Sequence, residues 1–169
     1  MTESWREQEL AGDGSTWDDV AAVVSRQHAE LNEELGRIPT LSGSARLDVS
    51  LHLRRRLAVH EALERVLLAP PVADPLDDLR RVIAAVEGAE ADGDDADAAA
   101  AWVRARAAFV RHVEVSVSPS HGDLSAAQRA VLDEAVRLWE DGGDAYAGNE
   151  YDAMVNLALQ QLAEAASDA

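Results

Sequence analysis

Residues 53–70 read LRRRLAVHEALERVLLAP. Leu53, Leu57, His60, Glu64 and Leu67 recur at spacings of three and four, which places them on one face of an α-helix. Strict apolar–polar alternation, the mark of a half-buried strand, is missing from the stretch. Pro70 and Pro71 end the helix, because proline disfavours helical backbone in the residue before it. The seam also carries an imidazole and, one turn later, a carboxylate, and each is costly to bury without a partner.

The same reading extends outward in both directions. Ser15-Thr16 is an N-cap for a first helix running to about Ile38, with Asp18 and Asp19 in its first turn facing the positive end of the helix dipole. Pro39 and Gly43 mark a turn, and the second helix covers about Ser44 to Ala69. Asp74-Pro75, an acid cap followed by proline at the first helical position, opens a third helix to about Glu90. The acidic turn ADGDDADA follows, then a fourth helix from about Ala98 to Val117. A fifth is expected from Ser125 to Glu140 and a sixth, after the break DGGDAYAGN, from Glu150 to Ala166. Four helices with short connections favour an all-α, up-down-up-down four-helix bundle over residues 15–120. Residues 1–14 are expected to be a flexible N-terminus. Residues 121–169 are expected to form two additional C-terminal helices packed on the bundle, covering it with their apolar residues Val131, Leu132, Val136, Leu138, Trp139, Met154, Leu157 and Leu159.

Composition removes several function classes. The 169 residues hold 15 Lys+Arg against 32 Asp+Glu, a net charge of −17. That field repels nucleic-acid phosphates and anionic membrane surfaces, so neither is an expected partner. With no cysteine there is no disulfide, thiol nucleophile or cysteine-ligated metal. No signal peptide or membrane-spanning run is legible, and a cytoplasmic protein is expected. Glycine-rich phosphate loops and a G-x-S-x-G elbow are also missing.

The inward stripes carry the chemistry. Helix one presents Val20, Val24, His28, Leu31 and Leu35, and helix four presents Trp102, Ala105, Phe109, His112 and Ser116. Three of the five histidines thus lie on apolar faces of three different helices, with Glu64 one turn after His60. Two arrangements would satisfy them. One is hydrogen bonding, such as His60 to Glu64. The other is a metal ion, for which mixed imidazole and carboxylate donors suit iron, manganese or zinc. Antiparallel pairing about a turn near residue 95 sets Asp78 opposite His112, as a candidate fifth ligand or a solvated first-turn acid.

These residues resemble the hemerythrin family, in its HHE cation-binding branch. QHAELNEEL around His28, HEALERVLLAP from His60 to Pro70, and WVRARAAFVRHVEVSVSP around His112 match the first-, second- and fourth-helix motifs in order. The resemblance covers roughly residues 16–120. It implies a four-helix bundle holding a non-haem diiron centre with histidine terminal ligands and two bridging carboxylates; His28, His60, Glu64 and His112 match its metal-ligand positions, and Asp78 lies near the place of a third-helix histidine. The ligand implied is oxygen, peroxide or nitric oxide. Two departures stand out. Ser116 occupies the position where the family has an acid four residues after the fourth-helix histidine, and no histidine lies between His60 and His112. An altered site with one metal, a two-metal site with an unforeseen ligand, and a metal-free helical interaction or regulatory module all follow as alternatives, the last with a protein partner or a second copy of the chain. No catalytic residue is indicated.

The remaining features read as surface. His121 follows Pro119 in a loop. His52 lies about 80° round the helix from His60. Arg54, Arg55 and Arg56 are expected to pair with surface acids. DGDDAD lacks the later bidentate glutamate of a calcium loop.

Overall fold

The computed structural model describes residues 15–68, 75–115, 122–141 and 150–169. Among these the chain is all α-helical, without a named strand. Helix α1 is Trp17–Arg37, α2 Gly43–Leu67, α3 Pro75–Ala91, α4 Asp95–Val115, α5 Ala126–Asp141 and α6 Tyr151–Ser167, with a 3₁₀ turn at Ile38–Thr40 after α1. The expected boundaries that fall on described residues hold within one to three residues; Ala69, Asp74 and Val117 fall outside them. The flexible N-terminus assigned to 1–14, the Pro70-Pro71 stop, Ser116, His121 and the glycine-rich break all lie outside the described residues.

Local chemistry explains the helix ends. Thr16 caps α1: its side chain accepts from the Asp18 amide, and the Asp19 carboxylate accepts from the Thr16 amide at 2.6 Å, a reciprocal capping box. Helix α4 begins three residues earlier than the sequence suggested. The reason lies in the acidic turn, where the Asp94 carboxylate accepts the amides of Ala96 and Asp97 at 3.1 and 2.9 Å. Gly93 just before it has φ +71°, a left-handed conformation that suits glycine. The start of α1 is tied to the segment before α5, since Trp17 N–H donates to the Gly122 carbonyl and Leu124 N–H to that of Ser15.

Helix α2 is the centre of the molecule. It packs against α1 on one side and against α5 and α6 on another, and α4 packs against both α1 and α3. From Leu57 to Glu64 every residue of α2 is buried. Cross-links between helices give their relative direction. Arg56 of α2 pairs with Glu34 and Glu30 of α1, while His60, further along α2, meets Gln27, earlier in α1. Arg54 pairs with Glu87 of α3, and Glu61 with Arg80. Arg106 of α4 faces Asn32 of α1, and His112 faces His28. In all three pairs the numbering runs in opposite directions, so the neighbours are antiparallel.

Arg54 and Arg56 thus find acids, as expected, and the Arg56 guanidinium also lies 4.0 Å over the Trp139 ring. In α5 and α6, Val131, Leu132, Leu138, Trp139 and Met154 are buried, and Val136, Leu157 and Leu159 are half-buried. Their apolar faces are therefore spent on the core. No helix among the described residues is long and apolar enough to cross a membrane.

Candidate metal centre

Three helices deliver the cluster. The buried side of α1 is Val20, Val24, Gln27, Leu31 and Leu35, with His28 beside it. α2 contributes His60 and Glu64, one turn apart, and α4 contributes His112 one turn after Phe109. His28, His60, Glu64 and His112 each offer a ligand atom, and these atoms all lie within 4.8 Å of one another. Four of the five residues singled out from the sequence therefore converge.

The contacts are close. His28 Nε2 is 3.2 Å from His60 Nε2, which is 3.4 Å from His112 Nε2. Glu64 Oε1 lies 3.3 Å from His28 Nε2 and 3.4 Å from His60 Nε2, and Oε2 lies 3.1 Å from His112 Nε2. His60 is completely buried, and His112 and Glu64 nearly so. The ring of Phe109 seals one side, with centroids 5.7, 6.1 and 5.9 Å from His28, His60 and His112.

Gln27 sets the chemistry of His60. Its buried Oε1 lies 2.9 Å from His60 Nδ1, so Nδ1–H donates to the amide oxygen. The Nε2 lone pair is then turned into the cluster, which is the tautomer a metal ligand needs. Burial pushes the His60 pKa from 6.5 down to about 3; Glu64 opposes this, and His28 and His112 reinforce it. Burial alone would raise the Glu64 carboxyl, but close contact with the His112 and His28 imidazoles and attraction to His60 hold it below the ordinary carboxylate range. At neutral pH a neutral imidazole and an ionised carboxylate share one dry space.

These directions carry a pH dependence for the metal-free protein. The unfolded chain protonates His60 near 6.5 and the folded chain only near 3, so between those values the unfolded state binds more protons. Stability therefore falls as pH drops through that window, and Glu64 adds to the loss below about 4.5. Glu61, whose carboxyl is raised by burial, offsets part of it. Urea unfolding should show about 2 kcal/mol less stability at pH 5 than at pH 7. Stability that is flat or rising over this range would contradict a neutral buried His60.

Asp78 does not join the group. The structure corrects its placement: it is 54% exposed and pairs with Arg81 at 2.6 Å. The buried side of α3 runs through Leu76, Leu79, Ile83 and Val86, and Asp78 lies about 100° away from Leu79. It remains a first-turn acid at a helix N-terminus. His52, expected to be partly exposed, is exposed.

Sequence reading missed two participants. Gln27 sits three residues after Val24 and so shares the stripe with His28, but a neutral amide attracts no attention there. Glu61, next to His60, points the other way into a second buried polar group. Its carboxylate accepts from Tyr151 Oη at 2.9 Å and Arg80 Nε at 2.6 Å, with Arg65 Nε at 2.9 Å. No local signal pairs Glu61 with a tyrosine 90 positions on.

The donor set fits a metal ion. Glu64 Oε1 is buried and meets no donor in hydrogen-bond geometry among the described residues, a costly state without a cation. In a tetrahedral shell with metal–ligand distances of about 2.0–2.1 Å, neighbouring donors stand about 3.3 Å apart. Five contacts, from 3.1 to 3.4 Å, come near that spacing, two of them through Glu64 Oε1 and one through Oε2, while the four ligand atoms as a set spread over as much as 4.8 Å. Compared with known protein families, curated proteins and solved structures, the chain matches none.

Proposed function

We propose that this chain is a hemerythrin-like metal-binding protein that holds a single non-haem ion, iron first among candidates, through His28, His60, Glu64 and His112. The observation that supports it most is the convergence of three imidazole nitrogens and a buried carboxylate from three helices, with one ligand atom from each residue within 4.8 Å of the others. Antiparallel neighbours α1–α2, α2–α3 and α1–α4 support reading these four helices as an up-down-up-down bundle. The chain departs from the family pattern in lacking a third-helix ligand, since Asp78 is at the surface. Compact donor spacing and four ligands favour one ion over two.

The residues have separable tasks. His28, His60 and His112 supply neutral nitrogen donors, and Glu64 supplies the one negative charge. Gln27 holds the His60 ring, and Phe109 excludes water. Bound iron would supply a Lewis-acidic, redox-active centre towards oxygen, peroxide or nitric oxide. A metal-free interaction module would turn an acidic face to its partner rather than α5 and α6, whose apolar residues are mostly buried.

Elemental analysis of protein purified from cells supplemented with iron, manganese and zinc is the test. One equivalent of metal per chain is expected. Two equivalents would overturn the single-ion assignment, and metal at background level would overturn the metal-binding function.

A further inference from the structure

Helix α4 is apolar on both sides. Its inner side carries the buried Trp102, Ala105, Phe109 and His112. Its outer side presents Ala100, Val103, Ala107 and Val110, all exposed. These follow one another at steps of three, four and three, the spacing of a coiled-coil seam. A helix apolar all round is ordinarily buried all round, yet Val103 is 56% exposed and Val110 38%.

Charge sets this face apart from the rest of the surface. From Ala98 to Val113 there is no Asp or Glu, in a chain that has 32 of them. Arg104 and Arg111 are exposed and follow directly on Val103 and Val110, so both flank one edge of the seam. Neither meets a carboxylate among the described residues, whereas Arg54, Arg56 and Arg80 all do. Arg106, on the other edge, turns to Asn32 of α1.

We propose that the outer face of α4 docks an amphipathic α-helix of a partner protein, one with apolar residues at heptad spacing and Asp or Glu beside them. Ala100 and Ala107 let a second helix come close, to about 8–9 Å between axes, and the two valines fill holes between its side chains. The guanidinium groups of Arg104 and Arg111 select acidic flanks. Arginine is also the charge that interfaces retain while Asp, Glu and Lys are depleted. A second copy using the same face is disfavoured, because parallel or antiparallel pairing sets arginine against arginine along the seam. A phosphate surface would engage the arginines but leave the valines uncovered, and a chain of charge −17 repels it. The face lies on the far side of α4 from His112, so the proposal stands apart from the metal reading.

The test titrates the full chain with three synthetic peptides of about three heptads each, read by NMR at the Val103 and Val110 methyls. The first has Ala and Leu in its seam and Glu on its flanks. The second carries Lys in place of Glu, and the third Ser in place of Leu. The Glu peptide should give saturable shifts at both valines, with the other two weaker by about tenfold or more. In the Arg104→Glu/Arg111→Glu double variant the preference should invert, with the Lys peptide now the tighter. Both sites are exposed, so far-UV circular dichroism should not change. The proposal is overturned if the Glu peptide gives no saturable shift, if the Lys or Ser peptide binds as tightly, or if the double variant keeps the original preference. Shifts that follow protein concentration without peptide would overturn it in favour of a contact between copies. Displacement of the Glu peptide by a DNA oligonucleotide or by anionic phospholipid vesicles would overturn it in favour of a phosphate surface.

Discussion

His60→Ala is expected to abolish metal binding while leaving the helical content intact. His60 is the middle of the cluster: its Nε2 lies within 3.4 Å of His28, His112 and Glu64. Removing it takes one of four donors and leaves Glu64 in a larger void. The loss in affinity should exceed that of a change outside the shell, which typically runs 10- to 100-fold. Gln27→Leu provides that comparison. It keeps the volume but removes the acceptor for Nδ1–H, so it should weaken binding by about 10- to 100-fold without abolishing it. Metal titration followed by far-UV circular dichroism distinguishes the cases. Full metal occupancy in His60→Ala would remove the basis of the proposed centre.

Arg80→Ala is expected to have the largest effect on stability with the least effect on metal. The Glu61 carboxylate is almost wholly buried, and Arg80 donates to it at 2.6 Å. Breaking a buried pair by deleting one partner costs about 3–5 kcal/mol. Here Arg65 and Tyr151 remain as partners, and Arg80 is itself 26% exposed, so about 2–3 kcal/mol is the better expectation. For a chain of this size that lowers Tm by about 5–10 °C. Metal per chain should not change, because Glu61 points away from the cluster. A variant that melts with the native protein would show that Arg65 and Tyr151 suffice for Glu61.

Helix placement was legible because each helix announces itself locally. Thr16 with Asp19 and Pro75 with its acids are start signals within one turn of chain, and Leu53, Leu57 and Leu67 keep the helical period. Asp94 was hidden inside an acidic run, where a cap and a solvated acid look alike. The buried cluster was legible in His28, His60, Glu64 and His112, since a titratable group on an apolar stripe stands out. Asp78 misled for the opposite reason. Antiparallel register fixes height along a bundle but not rotation about the helix, and Asp78 has the right height and the wrong face. The Glu61–Tyr151 contact depends on how α6 packs against α2, which no periodicity within either helix encodes.

The unbroken burial of α2 from Leu57 to Glu64 has a kinetic consequence. Amides in that span should be among the last to exchange with solvent deuterium, because no side of the helix faces water. Two donors sit on this slow element, while His28 and His112 ride on α1 and α4, each of which has a solvent-facing side. Departure of a bound ion would then be timed by the outer helices swinging away from a stationary spine, and its dissociation rate should track α1 exchange rather than α2 exchange.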